Sequence, residues 1–158
     1  MNTDRILREH LIAGESSEDT ARLKSMAKEA RAFVASFRWA HPIDELFLGY
    51  GVGGILAVFL VKFIEKVNGR DEFLWIIVGD LPSAYLVTDN APTPTDALDR
   101  YCELMEDWAN AVKTKKDISE CFPVRAEPTA ENADLLERRI GFVRKEIIPV
   151  VRELHAER

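Results

Sequence analysis

Apolar positions recur along this chain with two different periods, and the change of period outlines the fold. Between residues 17 and 38, Leu23, Met26, Ala27, Ala30, Phe33, Val34 and Phe37 fall at steps of three and four, the spacing that lines one face of a helix. Ser16 or Ser17 can cap its start through a side-chain oxygen. His41-Pro42 stops the run, because proline disfavours helical geometry in the residue before it. A shorter helix over residues 3–13, ending at Gly14, is expected ahead of it. Thr93-Pro94-Thr95-Asp96 starts another helix: threonine as cap, proline at the first helical position, aspartate where a capping-box acid stands. Its apolar face is Leu98, Tyr101, Leu104, Met105, Trp108 and Val112, and it ends near Lys113 to Lys116, where positive charge suits the helix dipole. Residues 117–122 fit a short helical turn. Thr129 caps a last helix with Leu136, Ile140, Val143, Ile147, Val151 and Leu154 on one face, which Pro149 must end or kink.

The middle of the chain breaks this rhythm. Residues 46–61 are 16 consecutive uncharged positions, and Phe73 to Val78 form a second apolar run. A membrane-spanning helix needs about 20 such residues; Lys62 and Glu65 follow at once, and clustered glycines weaken a helix. A dinucleotide site is the second reading, since Gly49, Gly51 and Gly54 match G-x-G-x-x-G and Asp80 can stand as the ribose acid. Only residues 46–48 precede that motif as a strand, and no further βαβ units follow. The third reading fits best. Residues 55–61 and 73–78 are rich in β-branched and aromatic types, Asn68-Gly69 between them signals a hairpin turn, and residues 84–87 add a third strand. The glycines then mark bends or close backbone approach within or before the first strand. The expected fold is one α+β domain over residues 1–158. A small antiparallel sheet, a hairpin or three-stranded meander over about 55–87, packs against N- and C-terminal amphipathic helices.

Tyr50-Gly51-Val52-Gly53-Gly54, then Ala57-Val58-Phe59-Leu60, then Leu74-Trp75-Ile76-Ile77-Val78-Gly79-Asp80-Leu81-Pro82 with Ala84-Tyr85-Leu86-Val87-Thr88-Asp89, resembles a family of small uncharacterised bacterial proteins with a YGVGG…LWxxVGDLPxAYLVTD core. The similarity runs on through Ala97-Leu98, Tyr101, Met105, Trp108 and Val112 and covers roughly the middle half of the chain. It implies a bacterial cytosolic protein and the strand-turn-strand reading; no activity is established for that family, so it transfers no catalytic residue.

Composition narrows the function. At 158 residues and 47% hydrophobic, the chain can bury a core without metals or disulfides. A net charge of −6 argues against nucleic acid, whose binders need a basic face, and suits a basic protein partner. Cys102 and Cys121 form no CxxC pair, and the N-terminus lacks a secretory apolar segment, so a cytoplasmic protein with free thiols is expected. His10, His41 and His155 lack metal-ligand spacing, so neither a metal nor a cofactor is expected. The weak ligand candidates are Asp80, Tyr85 and Asp89, which flank or occupy one loop-strand segment. Two aspartates there can act as paired carboxylates, though each also suits a turn cap. No catalytic constellation emerges: Ser83 lacks a nucleophile elbow and Cys102 reads as a packing residue. The leading expectation is a non-enzymatic protein-binding domain, immunity-like or regulatory. The alternatives are a small enzyme or ligand-binding domain with a pocket near Asp80, Tyr85 and Asp89, and a structural homodimer.

Overall fold

The computed structural model describes Met1, Thr3 and residues 5–155, and these group into two compact units, Met1–Ala97 and Leu98–Arg158. Among the described residues, the first unit holds one helix, α1 (Ser17–Ala35), and five strands: β1 (Leu7–Arg8), β2 (Ile43–Val52), β3 (Leu56–Val67), β4 (Asp71–Gly79) and β5 (Ala84–Val87). The strands form one antiparallel sheet in the order β1-β2-β3-β4-β5. The α+β class is as expected, but the sheet is larger than a hairpin or three-stranded meander.

Two segments account for the difference. The helix expected over residues 3–13 is replaced, among the described residues, by β1 and a 3-10 turn at Glu9–Leu11. A helix this short is marginal by itself, whereas the backbone of β2 offers hydrogen-bond partners, with Leu7 opposite Leu48 and Arg8 opposite Phe47. Second, the glycine-rich stretch before residue 55 is itself a ten-residue strand, β2. Gly51 is there because α1 lies close: a Cβ on it would come within 2.5 Å of Leu23 Cδ2.

Strand alternation explains the long uncharged run. Leu46, Leu48, Ala57, Phe59, Val61, Leu74, Ile76 and Val78 join Leu23, Met26, Ala27, Ala30 and Val34 of α1 in one core. The alternate positions, Phe47, Leu56, Val58, Leu60, Trp75, Ile77, Ala84 and Leu86, are buried as well. Trp75 lies among them and donates its indole N–H to the Ala91 carbonyl at 2.8 Å. The run is therefore two strands and a turn, and no helix among the described residues is long and apolar enough to cross a membrane. The Asn68-Gly69 signal is realised: both have positive φ (55° and 70°), and Arg70 N–H closes the turn onto Val67 O at 3.0 Å, as a type I′ turn requires.

The second unit carries most of α2 (Pro94–Lys113), then α3 (Ala130–Phe142), a π-helical turn (Val143–Ile147) and α4 (Ile148–Leu154). The caps follow expectation. Ser16 Oγ accepts from Asp19 N at α1, Thr93 and Asp96 exchange hydrogen bonds at α2, and Thr129 Oγ1 accepts from Asn132 N at α3. Residues 117–122 form no helix; the Asp117 carboxylate instead accepts from Ser119 N and Oγ. Ion pairs Lys113–Glu137, Glu106–Arg144 and Asp99–Arg152 step in opposite directions, so α2 runs antiparallel to α3 and α4. Pro149 neither ends the last helix nor acts alone. It has no N–H for the carbonyl four residues back and would crowd it. The π turn widens the helix just before it, with Ile148 N–H bonding Val143 O, five residues back.

Gly79 takes φ +147°, and a Cβ there would stand 2.2 Å from Ile55 O, the oxygen that accepts Asp80 N–H at 2.9 Å. Gly79→Ala should therefore destabilise the protein by about 2–4 kcal/mol. Gly69→Ala, with nothing within 4 Å of its Cβ, should cost only the smaller penalty of its positive φ, about 1 kcal/mol. Urea unfolding of the two variants checks the difference.

Candidate functional site

Helix α1 lies against β2, β3 and β4 and ends at Ala35, before the chain turns through Phe37 and Trp39 towards β2. Three rings from this helix end, Phe33, Phe37 and Trp39, gather with Tyr85 of β5, and all four are half-buried. Phe37 stacks on Trp39 (centroids 4.9 Å, planes 18° apart), and Tyr85 meets both edge-on at 5.1 and 4.9 Å. Phe33 lies edge-on to Phe37 at 5.0 Å and 6.4 Å from Tyr85. Such spacings are those of rings in mutual contact, so no cation fits between them. The cluster is a filled aromatic surface rather than a cage. Val87, two residues from Tyr85 and on the same sheet face, adds an apolar side chain that is 41% exposed.

The structure does not bring Asp80, Tyr85 and Asp89 together. Asp80 follows β4 and is tied by its N–H to Ile55 at the start of β3. Asp89 pairs with Arg70, which precedes β4. The two aspartates thus lie at opposite ends of a nine-residue strand, a separation of about 25–30 Å. Tyr85 sits midway, opposite Ile76, and belongs to the aromatic cluster. In sequence the three are neighbours because the hairpin between β4 and β5 folds the chain back between them.

The glycine corner is also accounted for within the chain. Asp19, in the first turn of α1, accepts from Gly53 N (2.8 Å) and Glu15 N (3.0 Å) with its two carboxylate oxygens. Gly54 N points to Met26 Sδ at 3.4 Å. The backbone N–H of Gly53 that a pyrophosphate would need is thus occupied by a carboxylate of the same chain. These two acids, after burial, push the Tyr50 phenol above its ordinary range.

A cleft of about 280 Å³ opens beside β1, lined by Arg8, Glu9, His10, Arg31, Asp44, Glu45 and Leu46. Its charges are largely committed to one another. Arg31 forks onto Glu9 (2.6 and 3.0 Å), Arg8 pairs with Glu45, and Lys62 stands 3.8 Å from Asp44. Sequence reasoning missed this cluster because its members come from four separate elements. His41 stands 3.9 Å from Glu65, at the far end of β3 from Asp80. Among the described residues no group of three His, Cys, Asp or Glu side chains could hold a metal ion.

Cys102 is fully buried. Burial pushes its thiol up to about 12, with Arg144 opposing and Glu106, Asp99 and Glu103 reinforcing. It is a packing residue, as its place beside the apolar face of α2 suggested. A thiol whose folded pKa is raised keeps its proton while the unfolded thiol ionises. Between pH 9 and 12 the unfolded state therefore binds fewer protons, and stability should fall as pH rises, by at most about 1.4 kcal/mol per pH unit. A Cys102→Ala variant should lose that contribution and keep the part due to Tyr101, whose phenol burial also raises. In the native protein at pH 8 a disulfide reagent should titrate Cys121 alone, and both thiols after denaturation. No protein-family model, curated protein or solved structure matches the chain.

Proposed function

We propose that this chain is a non-enzymatic protein-binding domain, an immunity-like or regulatory partner in the bacterial cytoplasm, and that it docks through the aromatic surface of Phe33, Phe37, Trp39, Tyr85 and Val87. The observation that carries the reading is that cluster. Four large rings stand half-exposed at a helix end, already fixed by contacts with one another. Tyr and Trp are enriched at protein interfaces because they bury much area with few rotatable bonds. Rings locked by neighbours lose little further entropy on binding. The net charge of −6 favours encounter with a basic partner, whose complementary feature is an apolar pocket that accepts Trp39 or Phe37.

A reading as a small enzyme draws no support from Asp80, Tyr85 and Asp89, which occupy three separate places along the sheet. In the reading proposed, Phe37→Ser should weaken partner binding about thirtyfold, the loss typical of an interface anchor. Val87→Glu, at an exposed site that leaves the core untouched, should weaken it by a similar factor. Pull-downs from lysate of the source organism with wild-type and variant baits, followed by titration of the recovered protein, check this. A partner that binds both variants as tightly as wild type, or a wild-type bait that recovers no saturable partner, overturns the reading.

A further inference from the structure

Helices α3 and α4 expose large apolar side chains on the face turned away from their own core. Leu135 is 44% exposed, Phe142 49%, Val150 44% and Leu154 60%. Their spacing is the informative part. Seven residues separate Leu135 from Phe142, and seven residues of α-helix leave them about 20° apart on the helix surface. Val150 is eight residues further, which in an unbroken α-helix would carry it about 80° round. The π turn at Val143–Ile147 takes up one extra residue, so the eight count as seven and Val150 returns to the line. The stripe is therefore symmetric about Phe142, with one apolar residue a heptad away on either side.

The charges share that symmetry. Arg138 precedes Phe142 by four residues and Glu146 follows it by four. Both are exposed. Four residues of α-helix set Arg138 about 40° to one side of Phe142, and the extra residue of the π turn swings Glu146 back to that same side; neither side chain forms an ion pair with another described residue. Several other charged side chains of this unit pair within it: Lys113 with Asp134 and Glu137, Arg144 with Glu106, Arg152 with Asp99. Gly141, beside Phe142, adds a further sign. It stands in a helix interior, where glycine costs about 1 kcal/mol relative to alanine, yet a Cβ on it would meet nothing within 4 Å. Packing within the chain does not require it.

We infer that this face is the contact between two copies of the chain, paired antiparallel about a twofold axis through Phe142. The axis sets Phe142 against Phe142, Leu135 against the partner copy's Val150, and Arg138 against the partner copy's Glu146. The last pairing occurs twice, as an isologous contact requires. A parallel pairing would instead set Arg138 against Arg138. Gly141 leaves room at the axis for the two phenyl rings. The helical rod from Ala130 to Leu154 is about 37 Å long. Four apolar side chains per copy on such a rod place the contact at the lower end of stable interfaces, about 1,200 Å² in total, so the dimer should form in the micromolar range.

Sedimentation equilibrium of the full chain over a concentration series tests this. The wild type should show a monomer–dimer equilibrium. Arg138→Glu and Glu146→Arg should each weaken it about tenfold, because each turns two attractions into two repulsions. The double variant should return to within about threefold of wild type. Both positions are exposed, so the fold survives, as circular dichroism should confirm. Phe142→Glu should abolish the dimer. A wild type that stays monomeric up to about 1 mM, a dimer indifferent to the single charge reversals, or a double variant weaker than either single one overturns the inference.

Discussion

The structure depends on the burial of β3 on both of its faces. All six residues from Leu56 to Val61 are wholly inaccessible to solvent, so this strand is central, with a neighbour on each edge and no side chain open to solvent on either face. Such a strand pays for its own confinement with buried area, but it has a weakness. When both faces are apolar, a one-residue slip exchanges one greasy face for another, and the pattern of hydrophobicity alone does not choose a register. The choice is made elsewhere. The Asn68-Gly69 turn sets β3 against β4. The turn closed by Ile55 N–H on Val52 O sets it against β2. The Trp75 indole reaches one particular carbonyl, that of Ala91.

The same constraint explains where the first unit has surface features at all. Helix α1 covers β2 to β4 and stops. The sheet continues to β5, so the border between covered and uncovered sheet falls at Tyr85 and Val87. Phe33, Phe37 and Trp39 collect at that border because they belong to the end of the covering helix. Aromatic side chains there are half-buried by geometry, and their contacts with each other make them rigid. In the second unit the corresponding constraint is Pro149. The π turn that accommodates it also sets the direction of every exposed side chain after residue 147, since a one-residue insertion rotates all later positions by about 100°.

Much of this was legible in the sequence, for local reasons. Ser16, Thr93 with Asp96, and Thr129 are helix starts because a side-chain oxygen and a backbone N–H a few residues on are bound to meet. Asn68-Gly69 tolerates positive φ at both positions, and it stands between two strand-like runs. The apolar faces of α1 and α2 follow from a period of 3.6, and the buried residues Leu23, Met26, Leu98, Tyr101, Met105 and Trp108 were all readable that way. The α+β class followed from the change of period. The candidate site was less legible. Tyr85 stood out as a residue in a strand-like segment, but its three ring partners lie about fifty residues earlier in the chain.

What the sequence determined by itself is what neighbours in the chain can settle: caps, turns, helical faces and the presence of a buried sheet. What only the tertiary structure decided is everything that needs two distant segments to meet. β1 is a strand because the edge of β2 is there to receive it. β2 is a strand despite its glycines because Gly51 must let Leu23 approach. Asp80 and Asp89, nine positions apart in the chain, are separated by the length of a strand because the hairpin folds the chain between them. The N–H of Gly53 serves Asp19 rather than a phosphate because α1 brings a carboxylate to it. Backbone propensity acts over a few residues, whereas the hydrogen-bond partner a strand finds and the space a side chain meets are set by segments the local sequence does not contain.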